Sequence, residues 1–257
     1  MRSILVNADR TPGSNARIET ALEIARRHGG HITVLVDTPV SRYIAMDPMG
    51  GSYVISDALD KARADDDAVA DAAEAHLADA GVPFEVVRCE DDPVTAFAYA
   101  ARLSDLIVVS RSGGLAGDLA LRARAPVLAV SDSPLRLPVG SACIGWDGGE
   151  QAAAALRAAV PLLASCSSVR LVCVVGKEGA FPAADALRYL RRHGIGADLE
   201  EHQRQQSTQE TLAQAVRGAD LLVMGAYGKS RVREFLFGGV TEFFLNEDAA
   251  PALLLAH

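Results

Sequence analysis

The chain has 257 residues, which at ~150 residues per domain leaves open two modest domains or one large one. Hydrophobic residues make up 49% and charged ones 23%, which excludes the charge-rich disordered class, and an aromatic share of 5% calls for an aliphatic core of Ala, Val and Leu. The formal charge of −8, from 25 Lys and Arg against 33 Asp and Glu, offers no cationic footprint for a phosphate backbone, and no run approaches the ~18 apolar residues of a membrane span.

In chain order, Ser3 to Ala8 reads as a short apolar strand ending at Asp9, followed by turn residues Thr11 to Asn15. Asp9 and Arg10 break the N-terminal apolar run before it reaches signal-peptide length, so a cytoplasmic protein is expected. A helix with Ile18, Leu22 and Ala25 on one face closes at Gly29-Gly30. A strand at His31 to Val36, a long connection through Tyr53 and an alanine-rich helix from Asp57 to Ala80 come next. They lead to a strand at Phe84 to Arg88, a helix from Pro93 to Leu103 and an apolar strand at Leu106 to Val109. A last helix and the strand Val127 to Val130 close this half. Continuous apolar strands alternating with helices predict a parallel sheet covered on both faces.

The stretch from Ser131 to Gly140 holds two prolines and no helical period, so it reads as a linker. The same order then restarts with the strand Ser141 to Trp146 ending at Asp147, the helix Glu150 to Leu163 and the strand Val169 to Val175. A helix at Ala183 to His193, a strand at Ala197 to Glu201, a helix at Thr208 to Arg217 and strands at Leu221 to Met224 and Ala252 to Leu255 complete it. The two halves also match in residues: Asp105 to Ser110 (DLIVVS) lies over Asp220 to Gly225 (DLLVMG), and Ala125 to Val130 (APVLAV) over Ala250 to Leu255 (APALLL). The chain reads as a tandem duplication of one α/β unit, with domains at residues 1–135 and 136–257.

The copies differ between those matched blocks, where the second carries ten more residues, including Gly225, Gly228, Gly238 and Gly239. Glycines at a strand's carboxyl end let backbone amides approach a phosphate chain, and open α/β sheets bind ligands there. The same glycines also fit a plain turn. Gly228-Lys229-Ser230 imitates the tail of a Walker A loop, but the first glycine that motif needs falls at Val223. The four cysteines and six histidines show no metal-ligand spacing, and no metal site is expected.

Gly225-x2-Gly228-x9-Gly238, set between an Asp-Leu-Leu-Val-Met strand and a closing Pro-x-Leu-Leu-Leu strand, resembles the nucleotide-binding signature of universal stress proteins. Gly145-Trp146-Asp147 is similar to that family's first adenosine-contacting segment. The resemblance implies two tandem doubly wound, Rossmann-like units, each with a mostly parallel five-stranded sheet, and ATP, AMP or ADP held by the second. It puts Gly145 and Asp147 at the adenosine and the Val174 backbone at the adenine. Gly225, Ala226, Gly228, Lys229 and Arg231 would line the phosphates, with Gly238, Gly239, Val240 and Thr241 closing the loop and Mg²⁺ entering only through the phosphates.

Two departures weaken that match. Gly239 stands where the family has Ser or Thr, and a lost hydrogen bond to a charged group costs ~1.5–3 kcal/mol unless Thr241 compensates. The connection after Val175 is also short. In the first unit Ser110-Arg-Ser-Gly113-Gly114 retains one glycine of the pair and lacks most of the loop, so this unit is expected to bind no nucleotide, acting as a structural partner.

The leading expectation is an adenine-nucleotide-binding stress-response or regulatory protein. An ATP-cleaving or adenylate-transferring enzyme has weak support, since Asp147 and Glu234 are the carboxylates near the loop and no catalytic set stands out. A pure interaction protein is the third reading. The apolar last strands of the two units would leave exposed edges unless paired, which suggests a homodimer or an intramolecular pseudo-dimer.

Overall fold

A computed structural model describes residues 1–46, 51–175, 181–227 and 239–257. The first half supplies strands β1 (Ser3–Asn7), β2 (His31–Asp37), β5 (Phe84–Cys89), β6 (Leu106–Ser110) and β7 (Val127–Val130). Its helices are α1 (Ser14–His28), α2 (Ser56–Ala78), α3 (Pro93–Ala100) and α4 (Leu115–Arg122). The second half supplies strands β8 (Ser141–Gly145), β9 (Ser168–Val175), β10 (Asp198–Gln203), β11 (Leu221–Gly225) and β12 (Ala252–Ala256). Its helices are α5 (Glu150–Leu163), α6 (Ala183–Arg192), α7 (Thr208–Ala215) and α8 (Val240–Asn246). The long connection of the first half contains a small antiparallel hairpin, β3 (Ile44–Met46) and β4 (Ser52–Val54), that the sequence pattern does not announce.

Local chemistry sets the helix ends. Gly29 ends α1 in the left-handed region at φ 59°, with its N–H on Ala25 O. Asp92 caps α3 ahead of Pro93 by accepting from Thr95 N, and Ser207 caps α7 by accepting from Glu210 N.

The strands order as β10-β9-β8-β11-β12-β7-β6-β1-β2-β5, one sheet of ten. Within each half all pairs are parallel, and the order reverses between β1 and β6 and between β8 and β11. These reversals are the switch points at which doubly wound sheets bind ligands. The halves meet through one antiparallel pair, β7 with β12, in the register Leu253↔Ala129, Leu254↔Leu128, Leu255↔Val127. The apolar edges from which a homodimer or an intramolecular pseudo-dimer was expected therefore pair with each other inside the chain.

Each face of the sheet carries one apolar core that runs through both halves. One packs side chains of α1, α2, α5 and α6 with Leu128 and Leu254 at the junction, and the other packs α3, α4, α7 and α8 with Val127, Ala129, Leu253 and Leu255. Fully burying a Leu or Val side chain contributes ~1.5–3 kcal/mol, so the buried side chains of the junction strands add to holding the halves together. The Pro-containing stretch from 131 to 140 is packed as well. Leu135 and Val139 are buried, and Leu135 N donates to Thr20 Oγ1 of α1 at 3.0 Å.

Candidate functional site

β8 stops at Gly145, and Trp146 N still donates to Val172 O of β9 at 2.9 Å before the chain turns away. Asp147 shapes that turn, its Oδ1 accepting from Gly149 N at 2.8 Å, with Gly148 left-handed at φ 69°. The first half repeats the arrangement: Ala8 N donates to Leu35 O at 3.1 Å, and Asp9 Oδ1 accepts from Thr11 N at 2.8 Å. Asp9 and Asp147 are thus equivalent in geometry as well as in sequence.

Backbone groups of alternate residues in a strand point to the same side. Val172 C=O faces β8, so the N–H and C=O of Val174, two residues on, point to the same side, past the end of β8 toward Asp147. On the other side of β8, Met224 pairs with Gly145, which brings Gly225 and Ala226 to the same rim. Ala226 is fully buried, with its N–H on Ala256 O at 2.8 Å. Tyr227 follows in the left-handed region at φ 48°, uncommon for a residue with a side chain, and its N–H donates to Thr241 Oγ1 at 3.4 Å. This bond draws Gly239, Val240 and Thr241, at the start of α8, to the same rim. Gly145, Asp147, Val174, Gly225, Ala226, Gly239, Val240 and Thr241 therefore gather at the carboxyl ends of β8, β9 and β11. Gly228, Lys229, Arg231 and Gly238, like Glu234, lie outside the described residues.

Two of these residues also have packing or hydrogen-bonding roles within the fold. A Cβ on Gly225 would stand 2.5 Å from Ala152 N and 2.6 Å from Gln151 C, so this glycine lets β11 press against the first turn of α5. Thr241 is buried, and its Oγ1 accepts from Tyr227 N. Trp146, the chain's only tryptophan, is buried beside Asp147 and donates from Nε1 to Phe181 O at 3.2 Å.

At the corresponding turn of the first half a buried arginine takes hold of the aspartate. The fully buried Arg17 of α1 puts Nη2 2.6 Å from Asp9 Oδ1 and donates from Nε to Asn7 O, the last carbonyl of β1, at 2.9 Å. Asp37 stands two residues past Leu35, as Val174 stands two past Val172. Burial raises the Asp37 carboxyl to about 6, against the pull of Arg42 and with help from Asp66 and Asp9. Arg17 was not legible as a site residue, because one arginine on the inner side of an amphipathic helix gives no pattern by itself.

Side chains of the first half also touch α8 and its flanks in the second half. Arg111, after β6, donates from Nη1 to Ala250 O and from Nη2 to Asp248 O (3.0 Å), just past α8. Gly117 of α4 lies under Tyr227, whose hydroxyl oxygen is 2.6 Å from where a Cβ on Gly117 would be.

A tandem doubly wound α/β chain, with a switch point in each half, is the class that this fold defines. The family model described as the universal stress protein family matches residues 1–131. The chain belongs to the universal stress protein family. Among solved structures, a universal stress protein from Archaeoglobus fulgidus DSM 4304 matches with TM-score 0.74 and 16% identity, covering 98% of this chain and 97% of that one, and so shares the fold. A universal stress protein from Archaeoglobus fulgidus in complex with dAMP is 20% identical over 49% of this chain and 95% of its own, with TM-score 0.39. A family protein from Arabidopsis thaliana with AMP bound is 17% identical over 51% of this chain and 92% of its own, with TM-score 0.39. The search of curated proteins found no match. No helix among the described residues is long and apolar enough to cross a membrane.

Proposed function

We propose that the second unit, residues 136–257, binds an adenine nucleotide, ATP or AMP, and that the protein serves a cytoplasmic stress-response or regulatory role. The first unit, residues 1–135, is its structural partner and binds none. One observation carries this reading. At the second switch point the N–H and C=O of Val174 point past the end of β8, on the side of Asp147, whereas at the first the buried Arg17 side chain holds Asp9 and the Asn7 carbonyl. A paired donor and acceptor on a strand end suits the hydrogen-bonding edge of a nucleobase, with Asp147 beside the ribose. Gly228, Lys229, Arg231 and Gly238 supply the phosphate side in sequence, together with Gly225, Ala226, Gly239, Val240 and Thr241. Lys229 and Arg231 bring charge of the sign that phosphates need.

Small molecules released on denaturing the purified protein should include AMP or ATP by mass spectrometry. Nucleotide-free protein should gain roughly 4 kcal/mol of stability from ligand at a thousand times its Kd. Titration should also change the fluorescence of Trp146, and Asp147→Ala should suppress both responses. Absence of released nucleotide, together with no thermal shift from ATP, ADP or AMP, overturns the reading.

A further inference from the structure

The face of β10 that turns toward α7 carries polar groups for which the nucleotide reading has no use. Val172 of β9 belongs to the apolar core on that face and pairs with Glu200, so Glu200, His202 and Arg204 alternate onto the same side. Between the end of β10 and α7 lies an open pocket of about 410 Å³, whose lining includes His202 and Arg204 from the strand and Thr211, Gln214 and Ala215 from the helix. Glu201 also borders it, but alternates to the opposite side of the sheet, beside Cys173.

The wall of this pocket is built by a chain of charged bonds. Arg170 Nη1 lies 3.3 Å from both oxygens of Glu200 and donates to Ala215 O of α7 at 3.0 Å, while His202 Nε2 lies 3.3 Å from Glu200 Oε2. Burial pushes the Glu200 carboxyl up, but its bonds to His202 and Arg170 outweigh this and hold it below its ordinary value. Glu200 is therefore ionised at neutral pH, its charge is met within the wall, and His202 Nε2 carries the proton between them. Thr211 Oγ1 is spent as well, accepting from Gln205 N and donating to Ser207 O. No bond among the described residues takes up the Arg204 guanidinium or the Gln214 amide. The first unit has no counterpart. Cys89 pairs with Asp37 as His202 pairs with Val174, so its matching residues are Val87, Cys89 and Asp91. A cationic pocket thus belongs to one copy only, in a chain whose net charge is −8.

We propose that the pocket between β10 and α7 is a second ligand site, for a small polar metabolite whose anionic head, a phosphate or a carboxylate, pairs with Arg204. His202 Nδ1 and the Gln214 amide hydrogen-bond the rest of the molecule. A guanidinium fork matches either head, and the volume falls within the range of small-molecule sites. β10 lies on the outer side of β9, away from β8 and the nucleotide rim, and the inference does not depend on the nucleotide reading.

The test titrates the full chain with glucose 6-phosphate, citrate and inorganic phosphate, followed by calorimetry and by the ring signals of His202 in NMR spectra. One of the two organic probes should move the His202 signals and bind more tightly than inorganic phosphate, and which one does so names the head group. Arg204→Gln should weaken that binding about tenfold or more, as the loss of a hydrogen bond to a charged group predicts. The melting temperature should not change, because Arg204 is exposed. Arg204→Lys, which keeps the charge without the fork, should fall between the two. The proposal is overturned if no probe moves the His202 signals, if inorganic phosphate binds as tightly as both organic probes, or if Arg204→Gln binds unchanged. Each of those results leaves the nucleotide reading as it stands.

Discussion

Gly225 and Gly145 sit side by side at the strand ends, yet the space around them differs. A Cβ on Gly225 would run into backbone atoms of Gln151 and Ala152, which cannot move without shifting α5. One on Gly145 would lie 3.6 Å from Leu212 Cδ2 and Met224 Cβ, an ordinary contact. Gly225→Ala should therefore cost ~1–3 kcal/mol by overpacking in the absence of any ligand, and Gly145→Ala should be close to neutral; denaturant unfolding of the two variants checks this. Asp37 carries the opposite kind of cost. Its folded carboxyl titrates at about 6 against an ordinary 3.8, chiefly because of burial. Between those values the folded state holds more protons than the unfolded one, so stability falls as pH rises through that window. Asp37→Asn should raise the melting temperature at pH 7.5, and the gain should shrink as pH falls from 6 toward 3.8, as thermal scans across that range would show.

At the scale of elements, what could be read was what the sequence repeats. β6 and β11 are apolar throughout because both their faces are covered, and their near-identical wording aligned the two copies. That alignment located the switch-point rim, and Asp9 and Asp147 proved equivalent down to the hydrogen bond. The β3–β4 hairpin escaped because its three-residue strands are too short to show alternation, and its side chains Ile44, Met46 and Tyr53 remain exposed instead of marking a core. The true partner of Asp9 was hidden for a different reason. Arg17 is buried by tertiary contacts with Asn7 and Thr11 that no helical period encodes. The grips of Arg111 and Gly117 on the second unit depend on how β7 meets β12, and a single strand's sequence does not state its neighbour or its register.

The whole molecule is organised by that junction. Leu128 pairs with Leu254 and Ala129 with Leu253, and the duplication aligns Leu128 with Leu253 and Ala129 with Leu254. Exchanging the two units therefore maps the pairing onto itself, which is the signature of a twofold contact made within one chain. The edge pairing that could have joined two chains is consumed, and the sheet's remaining edges are β10 and β5. Both carry the charges that discourage strand addition: Asp198, Glu200 and Glu201 on β10, Glu85 on β5, and Arg88 on β5 with its ion pairs to Asp67, Asp71 and Glu74. A chain with its apolar edges paired internally and its outer edges charged should not extend its sheet into a second copy. Light scattering coupled to size-exclusion chromatography should therefore report a single species at the chain mass of 27.0 kDa. A stable species of twice that mass would mean that another surface joins two copies, with the exposed β3–β4 hairpin the first place to introduce charge and repeat the measurement.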